Sequence, residues 1–174
     1  DAERLGLFSL EVATKQNTGY LLMLLGRLPE AEAKLRSAAA EYHRMGDPRL
    51  HGGTLIYLGL TLLAQGRLDE ARAELEQSVA FLERTPSLRA SALGALASCL
   101  LGLGRPQEAR TQAEAAMELL ERLGEVEEGE ARIRLVAPPF AAAQVDHARG
   151  ADVVDRLVAL GGHHLAEALD DLAD

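Results

Sequence analysis

Three short runs constrain this chain more than any other feature: Gly26-Arg27-Leu28-Pro29-Glu30-Ala31, Gly66-Arg67-Leu68-Asp69-Glu70-Ala71 and Gly104-Arg105-Pro106-Gln107-Glu108-Ala109. Their glycines stand 40 and 38 residues apart. A small residue lies seven positions before each glycine (Gly19, Gly59, Ala97), and a leucine lies four before (Leu22, Leu62, Leu100). Self-similarity at this period marks a supersecondary unit that buries its apolar face by stacking on copies of itself.

Each position has a mechanical role. Glycine ends a helix by taking the left-handed backbone of a tight turn. Pro29 and Pro106 fall in a first helical turn, where the missing N–H costs nothing. After the turn, Ala31, Leu35, Ala38 and Tyr42 fall on one helical stripe. So do Ala71, Leu75, Ser78 and Leu82, and then Ala109, Ala113, Ala116 and Leu120. Asp47-Pro48 and Thr85-Pro86 read as an N-cap followed by proline at the first helical position. The pattern predicts helices near 9–25, 29–45, 48–65, 69–84, 86–103, 106–123 and 126–137. Glu3-Arg4-Leu5-Gly6 recurs as Glu121-Arg122-Leu123-Gly124, so residues 1–6 read as the last turn of a preceding, truncated hairpin.

Composition agrees with an all-α chain. Aromatic residues are 3%, Trp is absent, and the supply of β-branched side chains that strands use is thin. The formal charge of −9, from 27 acidic against 18 basic residues, argues against a nucleic-acid binder. A single cysteine excludes an internal disulfide. The longest run without Asp, Glu, Lys or Arg, Leu50 to Gly66, falls short of the roughly 18 apolar residues of a membrane span. The chain opens Asp1-Ala2-Glu3-Arg4 with no initiator Met and no signal pattern. A cytoplasmic fragment of a longer protein, with no membrane partner, is the expectation.

These residues resemble the tetratricopeptide repeat, a helix–turn–helix unit with small and large apolar residues at fixed positions. The small residue of the first helix falls on Gly19, Gly59 and Ala97. The turn glycine falls on Gly26, Gly66 and Gly104, and the second-helix alanine on Ala31, Ala71 and Ala109. The following large residue is Leu35 and Leu75 but Ala113 in the third unit. The family's early aromatic is replaced by Lys15, Leu55 and Leu93. Its closing proline is replaced by His43, Glu83 and Glu121. With a period near 40, the chain looks like the longer repeats of bacterial signalling proteins. The resemblance implies an α-solenoid of antiparallel hairpins wound as a right-handed superhelix. Residues 1–8 would end a truncated repeat, with repeats at 9–46, 47–84 and 85–124. Residues 125–174, where Pro138-Pro139 breaks the register, would form a degenerate fourth repeat or a C-terminal cap.

In that family the first helices line the concave face. The resemblance places Gln16, Asn17, Tyr20, Met23 and Leu24 there, then Gly53, Ile56, Tyr57, Leu60 and Leu63, then Ser91, Gly94, Ala95, Ser98 and Leu101. None is charged, whereas the second helices carry mixed-sign runs such as Glu30, Glu32, Lys34 and Arg36, as a solvated face does. Two readings follow. In one, the face takes an apolar or amphipathic peptide or helix from a protein partner, with Tyr20 and Tyr57 as handles. In the other, the same residues are core, covered by this chain or by a missing repeat. The basic clamp that some family members close on a partner's terminal carboxylate is not matched, Asn17 alone being compatible.

Catalytic chemistry finds no support. Cys99 lies among Ala97, Leu100 and Leu101, as an inert core thiol does. His163-His164 point apart on a helix and Glu167 adds only one further donor. Asp146-His147 reads as a surface pair, and His43 and His51 as solvent-facing edges of the repeats. No phosphate loop, dinucleotide fingerprint or nucleophile elbow is present. The expectation is a non-enzymatic interaction scaffold from a larger signalling or regulatory protein, without cofactor or metal. A ligand- or peptide-sensing module and a homodimer formed through an exposed terminal repeat face are the alternatives.

Overall fold

The computed structural model describes residues 2–123, with side chains from Ser9 onward. The expected helix at 126–137, the cap at 125–174, and His147, His163, His164 and Glu167 lie outside the described residues. Six helices follow in order: α1 (Ala2–Leu24), α2 (Leu28–Met45), α3 (Pro48–Ala64), α4 (Leu68–Phe81), α5 (Pro86–Gly102) and α6 (Pro106–Leu123). They pair as three hairpins, α1–α2, α3–α4 and α5–α6. Neighbouring hairpins meet through α2–α3 and α4–α5, while α1, α3 and α5 touch in sequence as one layer.

The three intra-hairpin turns share one geometry. Gly26, Gly66 and Gly104 have φ of 73°, 76° and 70°. The next amide, of Arg27, Arg67 or Arg105, reaches back to the carbonyl of Leu22, Leu62 or Leu100 at 2.9–3.0 Å. That bond, with the glycine amide on Met23, Leu63 or Leu101, is the Schellman closure of a helix C-terminus. It also explains the leucine four before each glycine: its carbonyl receives the closing bond while its side chain stays buried.

Close approach within each hairpin rests on the small residue opposite the stripe. A Cβ on Gly19 would meet Leu35 Cγ at 2.7 Å, and one on Gly59 would meet Leu75 Cγ at 2.5 Å. In the third hairpin both partners change together: Ala97 and Ala113 share the core cluster, at 0% and 2% exposure. The third-unit departure from the repeat pattern is therefore an exchange of volume between two facing helices. Ala31, Ala71 and Ala109 are each fully buried, so the repeated alanine is a core position three times. Ser78, where the other hairpins have Ala38 and Ala116, donates its hydroxyl to the Gly52 carbonyl at 2.8 Å, which removes the cost of burying it.

Some boundaries differ from the sequence expectation. α1 starts at Ala2, not near residue 9, and runs unbroken through Gly6. One glycine inside a helix costs about 1 kcal/mol and does not stop it. α4 ends at Phe81, not near 84. The link from Leu82 to Pro86 is two residues shorter than that from Tyr42 to Pro48, and it has no glycine like Gly46, which closes α2 at φ 69°. The periods of 40 and 38 differ at this link. Asp47 caps α3 as expected, accepting from the Leu50 amide at 2.9 Å. Thr85 makes no side-chain cap bond, so α5 starts on Pro86 alone.

Candidate interaction surface

Charge is arranged along the second helices and turns. Arg27 is bonded through Nε and Nη2 to both oxygens of Glu30, and Arg67–Glu70 and Arg105–Glu108 repeat the fork at 2.6–2.7 Å. The arginine and glutamate of the repeated motif are thus one clip across each turn. The motif shows both residues, but the fork is visible only once the turn is built. Between the first two hairpins, Arg36 reaches Glu32 and Glu74 while Arg67 reaches Glu32. At the equivalent sites of the next hairpins the polarity reverses, to Arg72–Glu76 and Arg110–Glu114.

A partly buried ion pair also escaped the sequence reading. Lys15 Nζ lies 3.0 Å from Glu41 and 2.8 Å from Glu11, and both hydrogen bonds hold the lysine pKa above its usual value. In the next hairpins the matching residues are Leu55 with Phe81, in one apolar cluster, and Leu93 with Leu119, in another. Lysine at an aromatic position of the repeat is answered by glutamate across the helix pair.

The expected inner residues separate by exposure. Met23, Ile56, Leu63 and Ser98 are buried, Ser98 donating to the Gly94 carbonyl. Gln16, Tyr20, Leu24, Tyr57, Leu60, Ser91 and Leu101 are half-buried, and Asn17 is exposed. Tyr20 and Tyr57 meet across α1 and α3 with ring centroids 4.7 Å apart and planes tilted by 42°. Tyr20, Leu24 and Leu60 pack on one cluster with Met23 beneath. Gln16 Oε1 lies 2.9 Å from the Thr54 hydroxyl, linking the same helices. On α5 the residues in register with Tyr57 and Leu60 are Ala95 and Ser98, at 0% and 2% exposure. Bulky, partly accessible side chains therefore concentrate on α1 and α3.

Cys99 is buried as expected, and burial pushes its thiol up to about 11. His51 corrects the sequence reading: it is 9% exposed, not solvent-facing. Its ring stacks on Phe81 at 4.5 Å and its Nδ1 lies 3.2 Å from Nδ1 of His43. The two short-range neighbours come from α2 and α4, so a residue-by-residue reading of α3 could not reveal them. His43 itself is exposed. Among the described residues, no group of three or more His, Cys, Asp or Glu side chains could hold a metal, and no helix is long and apolar enough to cross a membrane.

No curated protein matches the chain. Residues 50–122 match the sequence model of the tetratricopeptide repeat. That family consists of non-catalytic helical scaffolds that mediate protein–protein interaction. The hairpins, turn glycines and fully buried alanines are in register with that match, and the described residues form an all-α, tetratricopeptide-like helical repeat.

Proposed function

We propose that this chain is an interaction scaffold of a larger signalling or regulatory protein, acting in the cytoplasm and taking an apolar or amphipathic peptide or helix across α1 and α3. The Tyr20–Tyr57 pair carries the reading: two half-buried rings 4.7 Å apart, beside Leu24 and Leu60, with no charged residue among the inner positions. Tyrosine offers broad apolar contact and a polar tip at small entropic cost, which suits peptide recognition. Catalysis is no part of this reading, since the one thiol is buried and disfavoured as a thiolate.

Selection from a displayed peptide library tests it. Apolar or amphipathic sequences should emerge, and Tyr57→Ala with Leu60→Asp should abolish their binding while the circular dichroism stays helical. Selected peptides that bind this variant unchanged would overturn the reading. A second reading, self-association, draws on Leu10 and Leu21, exposed at 63% and 42% on α1, and on Leu25, exposed at 69% just past its end. The spacing of eleven residues sets Leu10 and Leu21 along one side of that helix. Light scattering that reports a monomer at high concentration would retire it.

A further inference from the structure

The inter-hairpin junction where α2, α3 and α4 meet is filled by three rings. His43 Nδ1 and His51 Nδ1 are 3.2 Å apart. His51 stacks on Phe81 with centroids 4.5 Å apart, and His43 meets the same Phe81 edge-on at 6.4 Å. The nitrogen–nitrogen contact requires one Nδ1 to carry hydrogen and the other to offer its lone pair. A neutral pair satisfies this. So does a pair with one added proton, because an imidazolium can donate to a neutral ring. A second proton leaves two donors facing each other, one of them on a ring that is 9% exposed.

We propose that this ring cluster is an acid-sensitive latch on the junction between the first and second hairpins. It holds while one Nδ1 keeps its lone pair and releases when both rings are protonated. Among the described residues no carboxylate bonds to either ring to accommodate the second charge. On α2, Glu41 takes Lys15 and Ser37 on Oε1, its Oε2 being buried without a hydrogen-bond partner, and on α1 Glu11 is paired with the same lysine. Asp47, in the link, accepts the Leu50 amide. Arg44, Arg49, Glu83 and Arg84 are exposed, and Arg89 of α5 is half-buried. Burial, and then the adjacent His43, hold His51 below the usual histidine value of 6.5. A lowered histidine pKa means that the unfolded chain binds the proton first. The latch's contribution is therefore fully present above 6.5 and is lost as pH falls toward the folded value.

The test is urea unfolding of the full chain at steps from pH 8 to pH 5, with histidine-ring NMR titration alongside. Below about 6.5 the unfolding constant should rise by up to ~10-fold per pH unit through uptake by His51. His51→Phe keeps an aromatic ring on Phe81 and should remove that part of the slope; the histidines outside the described residues cancel in the comparison. Hydrogen exchange, corrected for intrinsic rates, should accelerate at the α2–α3 boundary on acidification and not at α5–α6. A wild-type slope in His51→Phe would overturn the latch. So would a wild-type His51 ring titrating at 6.5 or above, a measurement that needs no variant to fold.

Discussion

A Cβ on Gly59 would stand 2.5 Å from Cγ of Leu75, well inside contact distance, so the second hairpin closes only because position 59 has no side chain. Leu75 is fully buried in the core cluster, so it can retreat only by displacing its packed neighbours. Gly59→Ala should therefore destabilise the chain despite alanine's better helix propensity, by about 1–3 kcal/mol for the overpacking less about 1 kcal/mol for the propensity. Adding Leu75→Ala reproduces the Ala97–Ala113 arrangement of the third hairpin. The double variant should lose less than the sum of the two single losses in urea unfolding, giving a coupling energy of compensating sign.

Gly66 makes the opposite case. Nothing lies within 4 Å of a Cβ placed there, yet its φ is +76°. Gly66→Ala should cost roughly 1–2 kcal/mol from backbone strain alone. No second-site change in a neighbouring side chain should rescue it, which separates strain from packing in the same unfolding assay.

The Lys15–Glu41 pair replaces contacts that are apolar in the other two hairpins. Lys15→Leu alone should lower the melting temperature, because Glu41 is then left mostly buried without its cation. The combination of Lys15→Leu with Glu41→Phe copies Leu55 and Phe81 and should restore the melting temperature to wild type or above. A double variant less stable than Lys15→Leu would show that the site cannot be repacked.

Acid should act on Glu32 in a defined direction. Burial raises its pKa, but hydrogen bonds from Arg36, Gln65 and Arg67 outweigh burial and set it below the ordinary 4.5. A lowered carboxyl value stabilises the fold above 4.5, and that contribution disappears as pH falls through the folded value. Glu32→Gln should therefore be less stable than wild type near neutrality and converge with it in strong acid, as urea midpoints across pH will report.

Cys99 should be nearly silent toward a disulfide reagent at pH 8. Its thiol is fully buried, pushed up to about 11, and lies 3.2 Å from the Leu68 carbonyl. Labelling should become fast only with unfolding, so its rate tracks opening of the α4–α5 contact. Rapid modification of the native chain would contradict this packing.

Most of the fold was legible because its signals are local and repeated. The turn glycines, the alanine stripe and the prolines each act within one helical turn, and every stripe residue named from spacing is buried. Relations that join different helices were not legible in the same way. The Gly–Leu and Ala–Ala exchange, the lysine–glutamate pair and the His43–His51–Phe81 cluster each depend on which residues meet across an interface. Helical periodicity assigns a face but does not name its neighbour. The uncharged character of the proposed inner positions could be read from the residues, while the concentration of their bulky, partly accessible side chains on α1 and α3 needed the burial of Ala95 and Ser98. The early end of α4 was missed because periodicity ran past a link that is two residues shorter than the one before it.

The paired exchange between Gly59–Leu75 and Ala97–Ala113 also limits how such an array can be inherited. A crossover that joined α5 to α4 in one hairpin would set the methyl of Ala97 against Leu75. The reciprocal product would leave Gly59 opposite Ala113, with a void between them. Between the second and third hairpins, breakpoints inside the hairpin therefore yield defective offspring of both kinds, whereas a breakpoint in the link after Phe81 leaves each matched pair intact. For these two units the whole hairpin, rather than the single helix, is the smallest piece that duplication can copy without a compensating change.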